Sequence, residues 1–323
     1  MKKFLILFLM VFMTFSLSAY DLGEIEDGFQ SFADETANAL PLASNMGLNW
    51  NDAYSGNFPH FGIGLTAGAV FLPSKAFEKV YTLTGDASGM DAFPSVGIPL
   101  PIYSVDGRLG IPVLPMDVGF KFGALSPDTI PMDEISVGFK MVGFDVRWAV
   151  LEDKGLMPDL SVGVGYTWLS GDIIAPVDPQ SFDLTGTGDL TELTLEDSDM
   201  FYKWSANIFD IKAQVSKKLL LLNISGGLGY SMGVSQAGGG ITGATVKVDG
   251  QEITSAEMAL IEAATGLSID DSGLDIMSKV SGGSFRVFGG VGINLFILKL
   301  DVGLLYGLPS KTMGVTTNVR IQY

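Results

Sequence analysis

The chain of 323 residues has no cysteine and a single histidine. Without cysteine it can form neither a disulfide framework nor a thiolate metal site. A Ser-His-Asp triad would need His60, which precedes the first predicted strand with no nucleophile motif nearby, and a histidine-based metal site would need a second histidine. We therefore expect no catalytic residue, no metal ion and no cofactor, and do not expect an enzyme.

Long apolar runs are also missing. After the N-terminus there is no run of about 20 apolar residues, which a membrane-spanning helix needs. Even so, 47% of the residues are hydrophobic, and the 17% that are charged fall below the roughly 25% of soluble domains. The net charge of −17 repels phosphate backbones, so nucleic acid is not an expected partner.

Residues 1–19 have the order of a secretory signal peptide. Lys2 and Lys3 are followed by an apolar core and then by small residues that end at Ser18 and Ala19. We predict cleavage after one of these two residues, and hence an exported protein.

An amphipathic helix is predicted for residues 21–40, because apolar side chains recur there at spacings of three and four. We expect it to end at Pro41. Its candidate apolar stripe, in the N-terminal segment 20–59, consists of Leu22, Ile25, Phe29, Phe32 and Leu40.

From residue 60 to the C-terminus the apolar period changes to two, in segments of about ten residues. This is the pattern of transmembrane β-barrel strands. One face of each segment is bulky and apolar, and the other is rich in glycine and polar residues. We predict ten strands, within a range of eight to fourteen, near 60–72, 97–105, 109–123, 134–151, 159–170, 201–216, 219–232, 284–295, 297–308 and 312–323.

Two of these strands have irregular sequences. Pro99 and Pro101 suit an edge or a loop better than a paired strand. The alternation in 134–151 changes phase between Met141 and Val142, which predicts a bulge or a concealed turn.

Three further features favour an outer-membrane barrel over a soluble sandwich. Short connections alternate with long ones, notably the acidic 171–200 and 233–281, where Thr254-Ser255-Ala256-Glu257 predicts a short capped helix over the barrel mouth. The last strand stops at an aromatic residue, Tyr323, as in substrates of the barrel-assembly machinery. Aromatic residues near the strand ends suit interfacial girdles; these are Tyr166, Trp168, Tyr202, Trp204, Tyr230 and Tyr306.

Charged side chains on the inner face are the candidate lumen lining. They are compatible with a lining that selects solutes or with an ion-pair network that fills the lumen. The candidates are Asp145, Arg147, Lys299, Asp301, Arg286 and Arg320.

Several motifs open the mature chain: Leu40-Pro41-Leu42-Ala43, Leu48-Asn49-Trp50-Asn51-Asp52-Ala53, Pro59-His60-Phe61-Gly62 and Val70-Phe71-Leu72-Pro73. They are similar to the start of an uncharacterised family of predicted outer-membrane barrels, distantly related to the long-chain fatty-acid transporters (FadL-like). The resemblance implies a hatch formed by residues 20–59 inside a barrel of residues 60–323. The Asn-Pro-Ala motif of that hatch is absent, so no binding residue is carried over.

We therefore expect an all-β antiparallel barrel in the outer membrane of a diderm bacterium, with outer-membrane lipid and the barrel-assembly machinery as partners. The expected function is a channel or transporter for hydrophobic small molecules such as long-chain fatty acids. A general diffusion porin and a surface-interaction barrel that acts through its acidic external loops remain the alternatives.

Overall fold

The computed structural model describes residues 22–323 apart from 56–57, 74–96, 127–135, 153–156, 178–179, 185–189, 197, 244, 266–267 and 271–272. The predicted signal peptide lies outside these residues. Neither described helix is long and apolar enough to cross a membrane. The elements, in chain order, are α1 (Leu22–Ala43), β1 (Phe61–Leu72), β2 (Ile98–Gly110), β3 (Met116–Leu125), β4 (Ser136–Leu151), β5 (Asp159–Val177), β6 (Gln180–Asp183), β7 (Glu192–Glu196), β8 (Ser198–Leu219), β9 (Leu222–Thr242), β10 (Thr245–Val248), β11 (Gln251–Glu252), α2 (Ser255–Thr265), β12 (Ser268–Asp270), β13 (Gly273–Leu295), β14 (Leu298–Gly307) and β15 (Met313–Gln322).

Ten of the described strands form a closed antiparallel barrel. Their order is β1-β2-β3-β4-β5-β8-β9-β13-β14-β15, and β15 pairs again with β1. Following paired residues once around the wall leads from Leu222 of β9 back to Val234, a stagger of 234 − 222 = 12 residues. Such a stagger requires tilted strands. The predicted barrel of about ten strands is confirmed.

The two ends of the barrel differ. At one end lie four short connections, β2–β3, β4–β5, β8–β9 and β13–β14, with the start of β1 and the end of β15. At the other end lie the four long connections, β1–β2, β3–β4, β5–β8 and β9–β13, together with the short β14–β15 turn. Because outer-membrane barrels have short periplasmic turns and longer external loops, we assign the short-turn end to the periplasm.

Strands β5, β8, β9 and β13 have 19, 22, 21 and 23 residues, whereas a transmembrane strand needs about 9–11 residues. These strands therefore continue beyond the bilayer as a raised external wall. The prediction that 171–200 and 233–281 are loops was wrong in large part, because both contain strand continuations and pieces of a small external sheet, β6-β7-β10-β11.

The two faces of strand β8 exchange their character along its length. In its periplasmic half Ile211 and Val215 point outward while Lys212 and Gln214 are buried inside. In its external half Lys203 points outward and is exposed, while Tyr202, Trp204 and Ile208 are buried inside. The outer face thus meets lipid below the exchange and water above it, and the exchange marks the external membrane surface.

The same exchange explains two incorrect predictions. Strand β4 is paired without interruption across Met141 and Val142, and its register shifts instead between Ala149 and Leu151. Phe139 and Met141 are buried inside because the inner face becomes apolar there, not because the strand bulges. Tyr202 and Trp204 likewise pack inside the wall and form no part of an interfacial girdle.

Strand β2 is paired with β1 along its whole length, including Pro99 and Pro101. Its ladder with β3, however, covers only Val105 to Gly110. Both prolines therefore lie in a part of β2 that has no partner on its other edge among the described residues, which is where proline is tolerated. Segment 98–104 is thus a real strand, paired on one edge only among the described residues.

Helix α1 lies inside the raised wall and packs mainly against β9 and β13. It includes Pro41 and ends at Ala43, three residues beyond the predicted range 21–40. Residues 44–55 then pass through the periplasmic half of the lumen before the chain enters β1. We call residues 44–55 the plug segment.

Helix α2 confirms the prediction of a short helix in the external region. Glu257 and Thr254 form the reciprocal bonds of a capping box: the Thr254 N–H donates to Glu257 Oε2 at 2.7 Å, and the Glu257 N–H donates to Thr254 Oγ1 at 3.3 Å. The hydrogen bond from the Thr254 hydroxyl is the largest cause that lowers the pKa of the Glu257 carboxyl. Ile261 of this helix is buried in the apolar cluster inside the raised wall.

The position of the face exchange can be tested with arginine on the outer face of β8. We expect Ile211→Arg, in the lipid-facing half, to lower the free energy of unfolding by roughly 2–4 kcal/mol because a cation then faces hydrocarbon. Ser205→Arg, on the same face above the exchange, should change it by less than about 0.5 kcal/mol. Equilibrium unfolding in phospholipid vesicles measures both, and equal costs would contradict the assigned boundary.

Candidate functional site

The candidate site is the filled lumen, which has two tiers. The external tier is apolar: side chains of α1 and of the raised wall form one buried cluster that includes Phe32, Leu40 and Trp204. The periplasmic tier is polar, and the plug segment runs through it among buried charged side chains of the wall.

The wall binds the plug segment largely through its backbone. Carbonyl groups accept hydrogen bonds from basic and amide side chains: Ser44 and Met46 from Lys121, Leu48 from Arg108 and Lys212, Trp50 from Gln214, Asn51 from Asn223, and Asp52 and Tyr54 from Arg147. Backbone N–H groups of Leu48, Asn51 and Ala53 donate to Asp106, Asp301 and Ser216. An irregular segment inside a membrane barrel must have its backbone satisfied in this way.

A buried ion-pair network holds the side chains that make these bonds. The Asp117 carboxylate lies between two guanidinium groups, 2.8 Å from Arg108 and 2.6 Å from Arg147. Arg108 also pairs with Asp145 at 2.7 Å, and Asp145 pairs with Lys212 at 2.8 Å. Because each acid lies between two cations, charge is balanced where water is excluded, which a buried charge requires.

Trp50 is the aromatic anchor of the plug segment and is almost fully buried. Its indole N–H donates to Asp106 at 2.8 Å, and the guanidinium group of Arg320 lies 4.6 Å from its ring centroid. Gly62 gives the ring its space, because a Cβ there would lie 2.7 Å from it. Arg320 of β15 also pairs with Asp301 of β14, so the anchor is joined to the strands on both sides of β1.

The predicted lumen residues take different positions. Asp145, Arg147, Asp301, Arg286 and Arg320 are buried inside the barrel, where Arg286 pairs with Asp210. Lys299 is only half-buried, near the periplasmic end of β14. Among the predicted hatch residues, Phe32 and Leu40 are buried in the apolar tier, whereas the side chains of Leu22, Ile25 and Phe29 lie outside the described residues.

Sequence reasoning missed Asp106, Arg108, Asp117, Lys121 and Lys212. Their alternation with apolar neighbours was a usable signal for each strand: Val105, Gly107 and Leu109, for example, surround Asp106 and Arg108. What could not be read from one strand is that these side chains converge on a segment more than 50 positions earlier in the chain.

The apolar tier contains an unsatisfied polar atom. Trp204 Nε1 is buried and has no hydrogen-bond partner among the described residues. Its ring packs 5.9 Å from that of Tyr202, which in turn packs 4.6 Å from Phe32 of α1. A buried donor left without a partner is costly unless a ligand or water supplies an acceptor.

His60 lies at the periplasmic end, where the plug segment meets β1. Its ring contacts Tyr54 edge-on at 5.2 Å. Burial is the largest cause that lowers its pKa, against the carboxylates of Asp117 and Asp52, which raise it. The described residues hold no group of three or more acidic or histidine side chains that could bind a metal ion.

Removal of the Asp117 charge tests the network. Asp117→Asn leaves Arg108 and Arg147 without their shared counter-ion, so we expect a loss of about 3–5 kcal/mol in the free energy of unfolding. The control is Glu196→Gln in the partly exposed pair Lys247–Glu196, which should cost less than about 1 kcal/mol. If denaturant unfolding showed similar losses for both, the buried network would not hold the plug.

Comparisons with known proteins found matches among solved structures alone. No family model matches the chain, and no curated protein does. Among solved structures, the outer membrane protease OmpT from Escherichia coli is 10% identical, the match covering 82% of this chain and 97% of that one, with a TM-score of 0.41. The translocator domain of the autotransporter NalP from Neisseria meningitidis is 10% identical, with 91% and 99% covered and a TM-score of 0.36. A Pseudomonas aeruginosa FadL homologue is 7% identical, with 82% and 90% covered and a TM-score of 0.26. A FadL homologue is thus among the structures that the chain resembles, at low identity.

Proposed function

We propose that this barrel is a gated outer-membrane transporter for hydrophobic small molecules, with long-chain fatty acids as the expected class. The observation that carries the proposal is the division of the lumen into an apolar external tier and a sealed polar tier. Apolar solutes would be received outside the bilayer but could not pass straight through to the periplasm.

The sealed tier argues against a general porin. The described cavity between the plug segment and the wall, lined by Asn49, Lys121, Asp145 and Lys212 among others, has a volume of about 20 Å³, little more than the space of one water molecule. A diffusion pore needs a continuous aqueous path, which the plug segment interrupts.

We propose an exit through the wall at the point where the described β2–β3 ladder ends. Tyr103 lies on the outward face of β2, just beyond the last paired residue, Val105. Its ring packs 5.6 Å from that of Phe139, which belongs to the interior cluster. This aromatic contact therefore covers the edge of β2 that is unpaired among the described residues, between the apolar tier and the outer face of the wall near the external membrane surface, and we call the contact the seam.

The apolar tier also offers recognition of a polar head group. Trp204 Nε1 is a buried donor without a partner among the described residues. A ligand carboxylate would satisfy it, and a hydrogen bond to a charged group is stronger than one to a neutral group. An apolar chain with one acidic end therefore fits the tier better than a hydrocarbon alone.

A surface-interaction barrel is the second candidate. The observation that favours it is the raised wall with the external sheet β6-β7-β10-β11, which stands beyond the bilayer. Removal of residues 180–196 separates the candidates: loss of adhesion with unchanged fatty-acid binding would favour this alternative.

Conductance tests the gate. In a planar bilayer we expect the native protein, shown to be folded by heat-modifiable gel migration, to give no steady current. Arg147→Met removes donors to the carbonyls of Asp52 and Tyr54, so intermittent openings should appear. Lys203→Met, on the exposed outer face, is the control and should stay silent. A steady native current would instead favour the porin.

Fatty-acid transfer tests the seam. Delipidated native protein should bind a fluorescent long-chain fatty acid and release it slowly to vesicles. Tyr103→Ala removes an aromatic contact worth about 0.5–1.5 kcal/mol, so release should become up to about tenfold faster. Tyr166→Ala, on the outer face but away from the seam, should leave the rate unchanged. Absence of binding by the native protein would exclude the proposed function.

A further inference from the structure

The periplasmic turns carry bulky apolar side chains at their tips. Val113, Leu220 and Phe296 are 90%, 100% and 98% exposed. They come from three separate turns, β2–β3, β8–β9 and β13–β14, and we call them the periplasmic tips. Large apolar residues that are fully exposed to water are unfavourable, and a repeated set of them marks an interaction surface.

The backbone at these tips should favour other residues. Val113, Leu220 and Phe296 have φ angles of 70°, 58° and 56°. This left-handed region is normally filled by Gly, Asn or Asp in tight turns, and it is disfavoured for bulky and β-branched residues. Backbone strain at an exposed position indicates that the side chain itself is required there.

The external end of the same barrel makes the opposite choice. Left-handed positions at that end include Lys311, Asp249, Gly243 and Gly250, with φ angles of 52°, 50°, 71° and 79°. The same backbone requirement is thus met by polar residues or glycine at one end and by apolar residues at the other. Turn geometry alone therefore does not explain the periplasmic tips.

The tips continue the lipid-facing band of the wall. Leu220 is flanked by Leu219 and Leu222, and Phe296 by Leu295 and Leu298, all of which are exposed on the outer surface. On β13 this band runs from Phe285 to Leu295, about 25 Å at the usual rise and tilt of barrel strands. The tips begin where the band ends, within the interfacial layer of the bilayer.

We propose that the periplasmic tips insert into the inner leaflet of the outer membrane and bind the phospholipid surface there. The turns then act as a ring of anchors that fixes the depth of the barrel. This assignment depends on the barrel fold alone and not on the transported solute.

Spin labels at single cysteines test the depth of the tips. The chain has no cysteine, so Val113→Cys, Leu220→Cys and Phe296→Cys each provide one thiol in the full-length protein. The control is Lys311→Cys, at the same backbone conformation on the external side. After reconstitution in vesicles of phosphatidylcholine and phosphatidylglycerol, collisions with oxygen report hydrocarbon and collisions with a water-soluble nickel chelate report water.

We expect a ratio of oxygen to nickel collisions that is several-fold higher at the three tips than at Lys311→Cys. Equal, water-like ratios at all four positions would overturn the proposal. The tips would then be a binding surface for a periplasmic protein, since no such protein is present in these vesicles. Heat-modifiable migration confirms that each labelled variant is folded.

A label-free variant gives an independent test by the sign of its effect. Asn suits the left-handed turn better than Leu, so Leu220→Asn would raise the unfolding midpoint in vesicles if the tip were in water. Insertion of the tip into lipid predicts a lower midpoint instead. The matched change Lys311→Asn should not lower it. A rise for Leu220→Asn would therefore overturn the proposal.

Discussion

The structure depends on the requirement that a backbone enclosed by lipid must find all its hydrogen-bond partners within the protein. The closed wall pairs its backbone N–H and C=O groups between neighbouring strands. The plug segment has no regular structure, so side chains of the wall must supply the hydrogen-bond partners of its backbone. Arg108, Arg147 and Lys121 supply donors, and Asp106 and Asp301 supply acceptors. Those charges in turn need counter-ions, and Asp117 and Asp145 provide them.

The exchange of faces in β4 and β8 follows from a second solvent boundary. Below it the outside is lipid and the inside is a polar, hydrogen-bonded packing. Above it the outside is water, so the inner face can bury Trp204 and Phe139 against α1 as a soluble protein does. The apolar residues of one strand therefore face outward below the boundary and inward above it. As a result, helix α1 is held by hydrophobic burial, whereas the plug segment is held by charged side chains.

The sequence was sufficient for the barrel, its strand number, helix α2 and most of helix α1, because each depends on a local period or a local cap. The prediction of a bulge at Met141 and Val142 was wrong because the strand continues there while the medium outside it changes from lipid to water. Alternation shows which residues share a face but not which solvent that face meets. The contacts of Trp50 and Asn51 could not be predicted, because they join positions more than 50 residues apart.

The path of the plug segment has a consequence for assembly. It leads directly into β1, and β1 is the strand that closes the barrel against β15, with Gly62 opposite Gln322. The plug segment is therefore already joined to β1, one of the two strands of the closing ladder, before that ladder can form. The wall must close around the plug segment. The closing ladder joins β1 and β15, the two barrel strands that are furthest apart in the sequence. Pairings of such long sequence separation form slowly. We therefore expect closure of the β1–β15 ladder to be the slow step of barrel formation.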